Sequence, residues 1–253
     1  DDKIYNRVAN LLFLIEEYKE AEKYYNEALR LNPDKIDYKI NLGRTLLRLN
    51  KDNEASKLLE AGIENGVRDI ELFIDYSALW MKVRKYDEAL KYLKMAQEID
   101  SNNFSVLYKT GKCLIEMGHI DAGKKNLLSA AKIISKEDAV KATIILKYSL
   151  EKKTDLESLK LLIKILEDNA EYREVYELIK KCQWEIIPDN EILDALINSE
   201  INLGLYEKAF EEFEKYNEES ITPKIRYMRA KVYCFTANFE EALEEANILL
   251  DRS

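Results

Sequence analysis

The sequence repeats itself every 34 residues, and this period limits the possible folds more than any other feature. Three rows of small residues recur at that spacing, with one row of large residues between them. The rows are Ala9/Gly43/Ser77/Gly111, Ala21/Ala55/Ala89/Gly123, Ala28/Gly62/Ala96/Ala130 and, for the large residues, Tyr25/Leu59/Leu93/Leu127. Small residues at fixed places let two helices approach closely, and large residues fill the space beside them.

Each repeat has the pattern of two short helices joined by a turn. Tyr5, Val8 and Leu12 follow a helical spacing, and so do the residues from Tyr18 to Ala28. The chain has only 7 Gly and 3 Pro, which is too few for the many tight turns of a β protein. One hairpin cannot bury its own apolar faces, so neighbouring hairpins must stack.

Aligning the repeats predicts the organisation of the whole chain. Residues 1–137 contain four regular units, at 2–35, 36–69, 70–103 and 104–137. Residues 138–155 form an extra helix or half unit, with Ala142, Ile145, Leu146 and Ser149 on one face. Residues 156–253 contain three degenerate units, near 156–189, 190–222 and 223–251. Pro33, Pro188 and Pro223 all fall between units, where a helix must stop.

The second helix of the repeat resembles that of the tetratricopeptide repeat family. The segments that carry the resemblance are YKEAEKYYNEALRLNP at 18–33, KYDEALKYLKMAQEID at 85–100, LGLYEKAFEEFEKY at 203–216 and ANFEEALEEANILL at 237–250. In the first helices, Leu42-Gly43 and Thr110-Gly111 stand at the family's Leu-Gly place. The resemblance implies an all-α fold, a right-handed α-α superhelix of about seven such hairpins plus one extra helix. It also implies that the first helices line the concave side.

Charge and composition disfavour several classes of function. The net charge is −9, and the whole deficit lies in residues 138–253, so general nucleic-acid binding is unlikely. No run of 18 apolar residues exists, which predicts no membrane span. His119, the one histidine, stands in a turn without a second ligand or a nucleophile beside it, so we expect no catalytic residue, metal or cofactor. Cys113, Cys182 and Cys234 form no CxxC pair, which favours buried thiols, a reducing compartment and a cytoplasmic protein.

The candidate binding site is a groove along the first helices. In the family resembled here, ligand contacts come from the second, fifth, sixth, ninth, twelfth and thirteenth places of the first helix. The ninth place in this chain is basic or Asn in six of seven units and never acidic. The predicted groove residues are Asn6, Asn10, Asn41, Arg44, Arg48, Lys82, Tyr108, Lys109, Lys112, Lys164, Asn198, Tyr227 and Lys231. The family's carboxylate clamp for chaperone tails is disfavoured, because Glu71 and Asp75 stand where it needs basic residues.

These features predict a non-catalytic scaffold that binds a partner protein or peptide, in particular an anionic or extended one. Two alternatives stay open. The chain is an accessory module of a larger enzyme or signalling protein, or it is an RNA-binding helical repeat, which the acidic second half weakens. The first and last helices have no polar capping helix beyond them, which predicts a segment of a longer protein or self-association through the ends.

Overall fold

A computed structural model describes residues 1–182, 190–213 and 221–251. Within these ranges the chain forms fifteen α-helices and no strand. The helices are α1 (Asp2–Leu14), α2 (Tyr18–Leu31), α3 (Ile36–Arg48), α4 (Asp52–Glu64), α5 (Ile70–Lys82), α6 (Tyr86–Ile99), α7 (Phe104–Glu116), α8 (Ile120–Ile134), α9 (Ala139–Lys152), α10 (Leu156–Asp168), α11 (Tyr172–Cys182), α12 (Asn190–Asn202), α13 (Tyr206–Phe213), α14 (Pro223–Phe235) and α15 (Phe239–Asp251).

The chain divides into two compact units, residues 1–133 and 134–253. The first unit consists of four helical hairpins, from α1/α2 to α7/α8. The second unit begins with the single helix α9 and continues with three hairpins, from α10/α11 to α14/α15. The all-α class, the seven hairpins and the extra helix are therefore confirmed. The domain boundaries at residues 137 and 155 stay predictions.

The repeated small and large residues form the core, as the period predicts. Ala9, Ala21 and Leu59 are completely buried, and the other members of the four rows are buried too. Helices α7 and α8 approach each other closely, since a Cβ added to Gly123 would lie 2.8 Å from the carbonyl oxygen of Gly111. Glycine is required at this crossing because a backbone atom occupies the space of a side chain.

The seven hairpins share one turn. In each turn one residue adopts a left-handed backbone with φ between 58° and 87°, and the next N–H donates a hydrogen bond to the carbonyl five residues earlier. This is the Schellman ending of a helix, which satisfies carbonyls that the helix leaves without partners. The left-handed residues are Glu16, Asn50, Arg84, Gly118, Ala170, Gly204 and Ala237. The sequence indicated only the two glycines.

Helix α9 and the predicted packing residues have mixed outcomes. Ala142, Leu146 and Ser149 on α9 are fully buried, as predicted. Trp80 packs edge-on against Tyr76, with ring centroids 6.1 Å apart. Trp184 and Pro188 lie outside the described residues. The cysteine prediction is partly wrong, because Cys113 is buried, Cys182 is half-buried and Cys234 is exposed.

Candidate functional site

The first helices of the first unit carry a polar row whose members contact one another across hairpins. Asn10 contacts Asn41, and Arg44 contacts Asp75, in each case 31 residues apart. That offset is shorter than the 34-residue period by three residues, which is about one helical turn. Neighbouring first helices therefore keep a constant stagger. We call this set, Asn6, Asn10, Asn41, Arg44, Asp75, Ala78 and Lys109, the first-helix row.

Three asparagines form an amide cluster at one end of the row. The Asn41 Nδ2 donates to Oδ1 of both Asn6 and Asn10, each at 3.4 Å. Tyr25, from α2, donates its hydroxyl to Asn10 Oδ1 at 2.6 Å, and burial raises the pKa of Tyr25 to about 12. The Nδ2 groups of Asn6 and Asn10 and the Oδ1 of Asn41 have no partner among the described residues. The structure therefore brings together the three predicted asparagines and leaves donors and an acceptor available.

Arg44, in the middle of the row, is already neutralised by acidic residues at the start of α5. Its Nε donates to Asp75 Oδ2 at 3.0 Å, and its Nη2 lies 3.6 Å from Asp69 and 3.8 Å from Glu71. The Arg44 side chain is 25% exposed and that of Asp75 is 10% exposed. A guanidinium surrounded by three carboxylates has little positive potential left for a ligand. The sequence placed Arg44 in the groove and Glu71 and Asp75 at groove places of the next hairpin, but it did not predict that these acids pair with Arg44.

Lys109 stands at the next step of the row and has no acidic residue opposite it. The register that pairs Asn10 with Asn41 and Arg44 with Asp75 places Ala78 opposite Lys109. The Lys109 ammonium makes no hydrogen bond or ion pair with the residues described. Its pKa is lowered, chiefly by burial; the charge of Asp75 acts in the opposite direction, and the charges of Lys112 and Arg48 lower the pKa further.

Helix α7 also carries an aromatic ladder beside Lys109. The rings of Phe104 and Tyr108 are stacked, with centroids 6.1 Å apart, and Lys112 Nζ lies 5.6 Å from the centre of the Tyr108 ring. The three side chains are four residues apart, so they lie on one helix face. Tyr108, Lys109 and Lys112, all predicted, are therefore neighbours at one place in the first unit.

The remaining predicted residues of the first unit differ in their surroundings. Arg48 is exposed at the end of α3 and makes no ion pair with a described residue. Lys82 reaches back to Asp52 at the start of α4, with an Nζ–Oδ1 distance of 2.7 Å. That contact holds Lys82 against the preceding hairpin, so it is a weaker candidate for ligand contact than Arg48.

The second unit places Lys164 in a cleft and joins Asn198 to one of the residues that line it. Lys164 lines a cleft of about 380 Å³ between α10 and α12, together with Lys160, Glu167 and Asp194. Asn198 donates to Glu167 at 2.7 Å, again across 31 residues. The cleft holds charges of both signs, so it does not have the basic character that the sequence indicated. Tyr227 and Lys231 lie exposed one turn apart on α14.

Two buried ionic groups in the second unit were not foreseen. Glu200 on α12 is completely buried, and neither of its carboxylate oxygens accepts a hydrogen bond from a described residue. Burial raises its pKa to about 7, although Lys180 Nζ lies 3.6 Å away. Glu245 on α15 accepts a hydrogen bond from Arg226 Nη1 at 3.0 Å and also contacts Arg229. Apolar periodicity cannot reveal such groups, because they occupy core places with charged side chains.

Neither a metal centre nor a membrane span is present in the described part of the chain. His119 is exposed in the α7–α8 turn. Across the described residues there is no group of three or more His, Cys, Asp or Glu that could hold a metal ion. In those same residues no helix is both long and apolar enough to cross a bilayer.

Comparison with known proteins supports the repeat assignment. Residues 2–35 match the model of the tetratricopeptide repeat family. A TPR repeat-containing protein of Methanocaldococcus jannaschii is 32% identical over 115 residues, which cover 45% of this chain and 20% of the relative. The anaphase-promoting complex subunit CDC16 of Saccharomyces cerevisiae is 25% identical over 145 residues, covering 52% of this chain and 17% of the relative. The chain thus spans about a fifth of the length of these relatives.

Solved structures show the same fold. The TPR protein YrrB, whose structure is described as having an unusual peptide-binding site, matches 66% of this chain and 88% of its own, with a TM-score of 0.52 and 24% identity. MamA of Desulfovibrio magneticus RS-1 matches 72% of this chain and 93% of its own, with a TM-score of 0.51 and 14% identity. The repeated helical hairpins, the family model matched by residues 2–35 and these shared folds agree on the architecture: the chain has the fold of tetratricopeptide repeat proteins.

Proposed function

We propose that this protein is a non-catalytic scaffold that binds an extended peptide segment of a partner protein along the first-helix row of the first unit. Protein–protein interaction is the function that the repeats support. The groove, the extended peptide and the absence of catalysis are our proposal.

The observation that carries the proposal is the amide cluster of Asn6, Asn10 and Asn41. The cluster is half-buried, fixed by Tyr25, and retains two amide donors and one carbonyl acceptor without partners in the described residues. An extended peptide presents alternating C=O and N–H groups, which need donors and acceptors of this kind. Side chains held on rigid helices lose little conformational entropy on binding, which favours affinity.

Selection from a random twelve-residue peptide library against the full chain tests the proposal. We expect the enriched peptides to cross-link to α1, α3, α5 or α7, and Asn6→Ala to weaken their binding about tenfold through lost hydrogen bonds. The matched control is Asn26→Ala, since Asn26 is exposed on α2. Equal affinities of the two variants, or cross-links confined to the second helices, would remove the basis for the proposal.

A second candidate is a module of a larger assembly, which is compatible with the first. The yeast relative is named a subunit of the anaphase-promoting complex, and a human relative, 23% identical over 217 residues, is named a NatA auxiliary subunit. The endogenous protein, purified without cross-linking, would then elute in a complex much larger than the 29.6 kDa of this chain. Elution at the size of the polypeptide alone would count against this candidate.

We place the protein in the cytoplasm as part of the proposal. All three cysteines are outside disulfides, and Cys113 is buried with its pKa raised to about 11, which is consistent with a reducing compartment.

Self-association through the chain ends also stays a proposal. Ile4, Leu11, Leu14 and Ile15 of the first hairpin are each at least 60% exposed. Sedimentation across a range of concentrations tests it.

A further inference from the structure

We infer that Lys109, with Arg48 beside it, is the subsite for one carboxylate of the bound peptide, and that Arg44 is a structural residue of the row. This inference rests on the proposed function and names the chemistry of its ligand.

The register of the first-helix row sets the surroundings of Lys109. Between the first and second hairpins Asn10 contacts Asn41, and between the second and third hairpins Arg44 contacts Asp75, in each case 31 residues later. At the third step the earlier residue is Ala78, whose methyl group can neither accept a hydrogen bond nor carry a charge. Among the described residues, the row therefore ends in a cation, Lys109, that has no polar side chain at the matching place of the preceding first helix.

The second step is the surroundings of that cation. Lys109 is half-buried on α7, and the positive charges of Arg48 and Lys112 act on it. Half-burial removes solvent that would otherwise stabilise the ammonium, and two like charges raise its energy further. Asp75 attracts the ammonium, but its carboxylate already accepts a hydrogen bond from Arg44. An anion placed opposite Lys109 would lower the energy of the half-buried ammonium, so the site should prefer an anionic ligand.

The third step is the choice between a carboxylate and a nucleic-acid phosphate. Asp69, Glu71 and Asp75 lie one to two turns away along α5, and they would repel a chain that carries a charge at every link. A single Asp, Glu or C-terminal carboxylate placed opposite Ala78 would meet that repulsion once, whereas a nucleic-acid strand would meet it at every phosphate. The stacked Phe104 and Tyr108 rings border the same place and offer apolar contact to the neighbouring peptide residue.

The test places a carboxylate of the chain itself opposite Lys109. Ala78→Glu supplies a carboxylate opposite Lys109, and Ala78→Gln is its neutral match of the same size. The probe is an acidic peptide enriched from the twelve-residue library, compared with the same peptide carrying Asn or Gln for each Asp or Glu. We expect Ala78→Glu to weaken the acidic peptide at least about tenfold relative to Ala78→Gln, because one charge-assisted contact is lost. The amide peptide should bind both variants equally.

Lys109→Met gives an independent measurement. It should lower the affinity of the acidic peptide to that of the amide peptide, while Lys125→Met, on the exposed face of α8, should not. Methionine keeps the apolar stem and removes a half-buried charge, so the thermal midpoint should not fall. Equal binding of the acidic peptide to Ala78→Glu and Ala78→Gln would overturn the inference and leave peptide binding intact. An oligouridylate that competes in a Lys109-dependent manner would overturn it in favour of RNA, and a complete lack of peptide binding would refute the proposed function itself.

Discussion

Replacing the buried Glu200 by glutamine should make the protein more stable above neutral pH. The folded-state pKa of Glu200, about 7, lies above the ordinary value of 4.5, because burial disfavours the charged carboxylate. The folded state therefore holds the proton more tightly than the unfolded state. The stability that this provides is fully present below pH 4.5 and is lost as the pH rises through about 7. Glutamine does not titrate, so the free energy of unfolding of the Glu200→Gln variant should not show this decrease.

The size of the effect follows from the rise in pKa. A rise of about 2.5 from 4.5 to about 7, at 1.36 kcal/mol for each pKa unit, corresponds to about 3 kcal/mol at pH 8. Lys180 does not cancel this cost, because its Nζ is 3.0 Å from Glu212 and 3.6 Å from Glu200. The difference in the free energy of unfolding between Glu200→Gln and wild type should therefore grow by about 3 kcal/mol between pH 4.5 and pH 8.

The assay is urea unfolding of the full chain, followed by far-UV circular dichroism at half-unit steps of pH. Hydrogen exchange of the α12 amides at the same pH values would locate the change in the second unit. Glu177→Gln, on an exposed face of α11, is the matched control, and its difference from wild type should stay within about 0.5 kcal/mol at every pH. A flat difference curve for Glu200→Gln would refute the reasoning, since it would mean that Glu200 titrates alike in both states.

Four other substitutions test the packing, the turns and the amide cluster. Gly123→Ala should destabilise the chain by about 1–3 kcal/mol in urea unfolding, because the new Cβ would meet the Gly111 carbonyl at 2.8 Å. Gly118→Ala should cost about 1 kcal/mol, because Gly118 has φ 87°, whereas Ala170→Gly, at φ 58°, should leave stability unchanged or raise it by up to about 1 kcal/mol. Tyr25→Phe should cost about 1 kcal/mol in thermal unfolding and also weaken peptide binding, because Asn10 loses its hydroxyl partner.

The fold could be predicted from the sequence because stacked hairpins repeat their packing rules. Ala21, Ala55 and Ala89 occur at one period, and each is completely buried. A residue that must be small at one crossing must be small at the next, so the period itself indicates helix pairing. The turns were less visible, because the Schellman ending tolerates Glu16 or Arg84 in place of glycine at a modest cost in energy.

The site was predicted as a set of residues and not as a set of contacts. Ninth places were compared with one another, 34 residues apart, whereas the side chains that meet are 31 residues apart. With that stagger, Arg44 would have been matched with Asp75 and Lys109 with Ala78 from the sequence alone. Apolar periodicity does not report this stagger between neighbouring first helices.

Buried charges are the part that no pattern revealed. Glu200 follows Ser199 on α12 and falls on the same inward face as Ile197 and Ile201, both of which are buried. Lys180 on α11 partly stabilises a carboxylate there, since its Nζ lies 3.6 Å from Glu200, whereas the charge of Glu212 on α13 acts against it. Such a group depends on three-dimensional neighbours that are 12 and 20 residues away in the sequence.

The central claim is that the first-helix row binds a peptide with one carboxylate opposite Ala78. The most direct measurement is a crystal structure of the full chain with an acidic peptide selected from the library. The account predicts peptide density across α1, α3, α5 and α7, with a carboxylate oxygen within hydrogen-bond distance of Lys109 Nζ and backbone contacts to Asn6 or Asn10. A peptide on the second helices, or one whose carboxylate pairs with Arg44 after displacing Asp75, would contradict it.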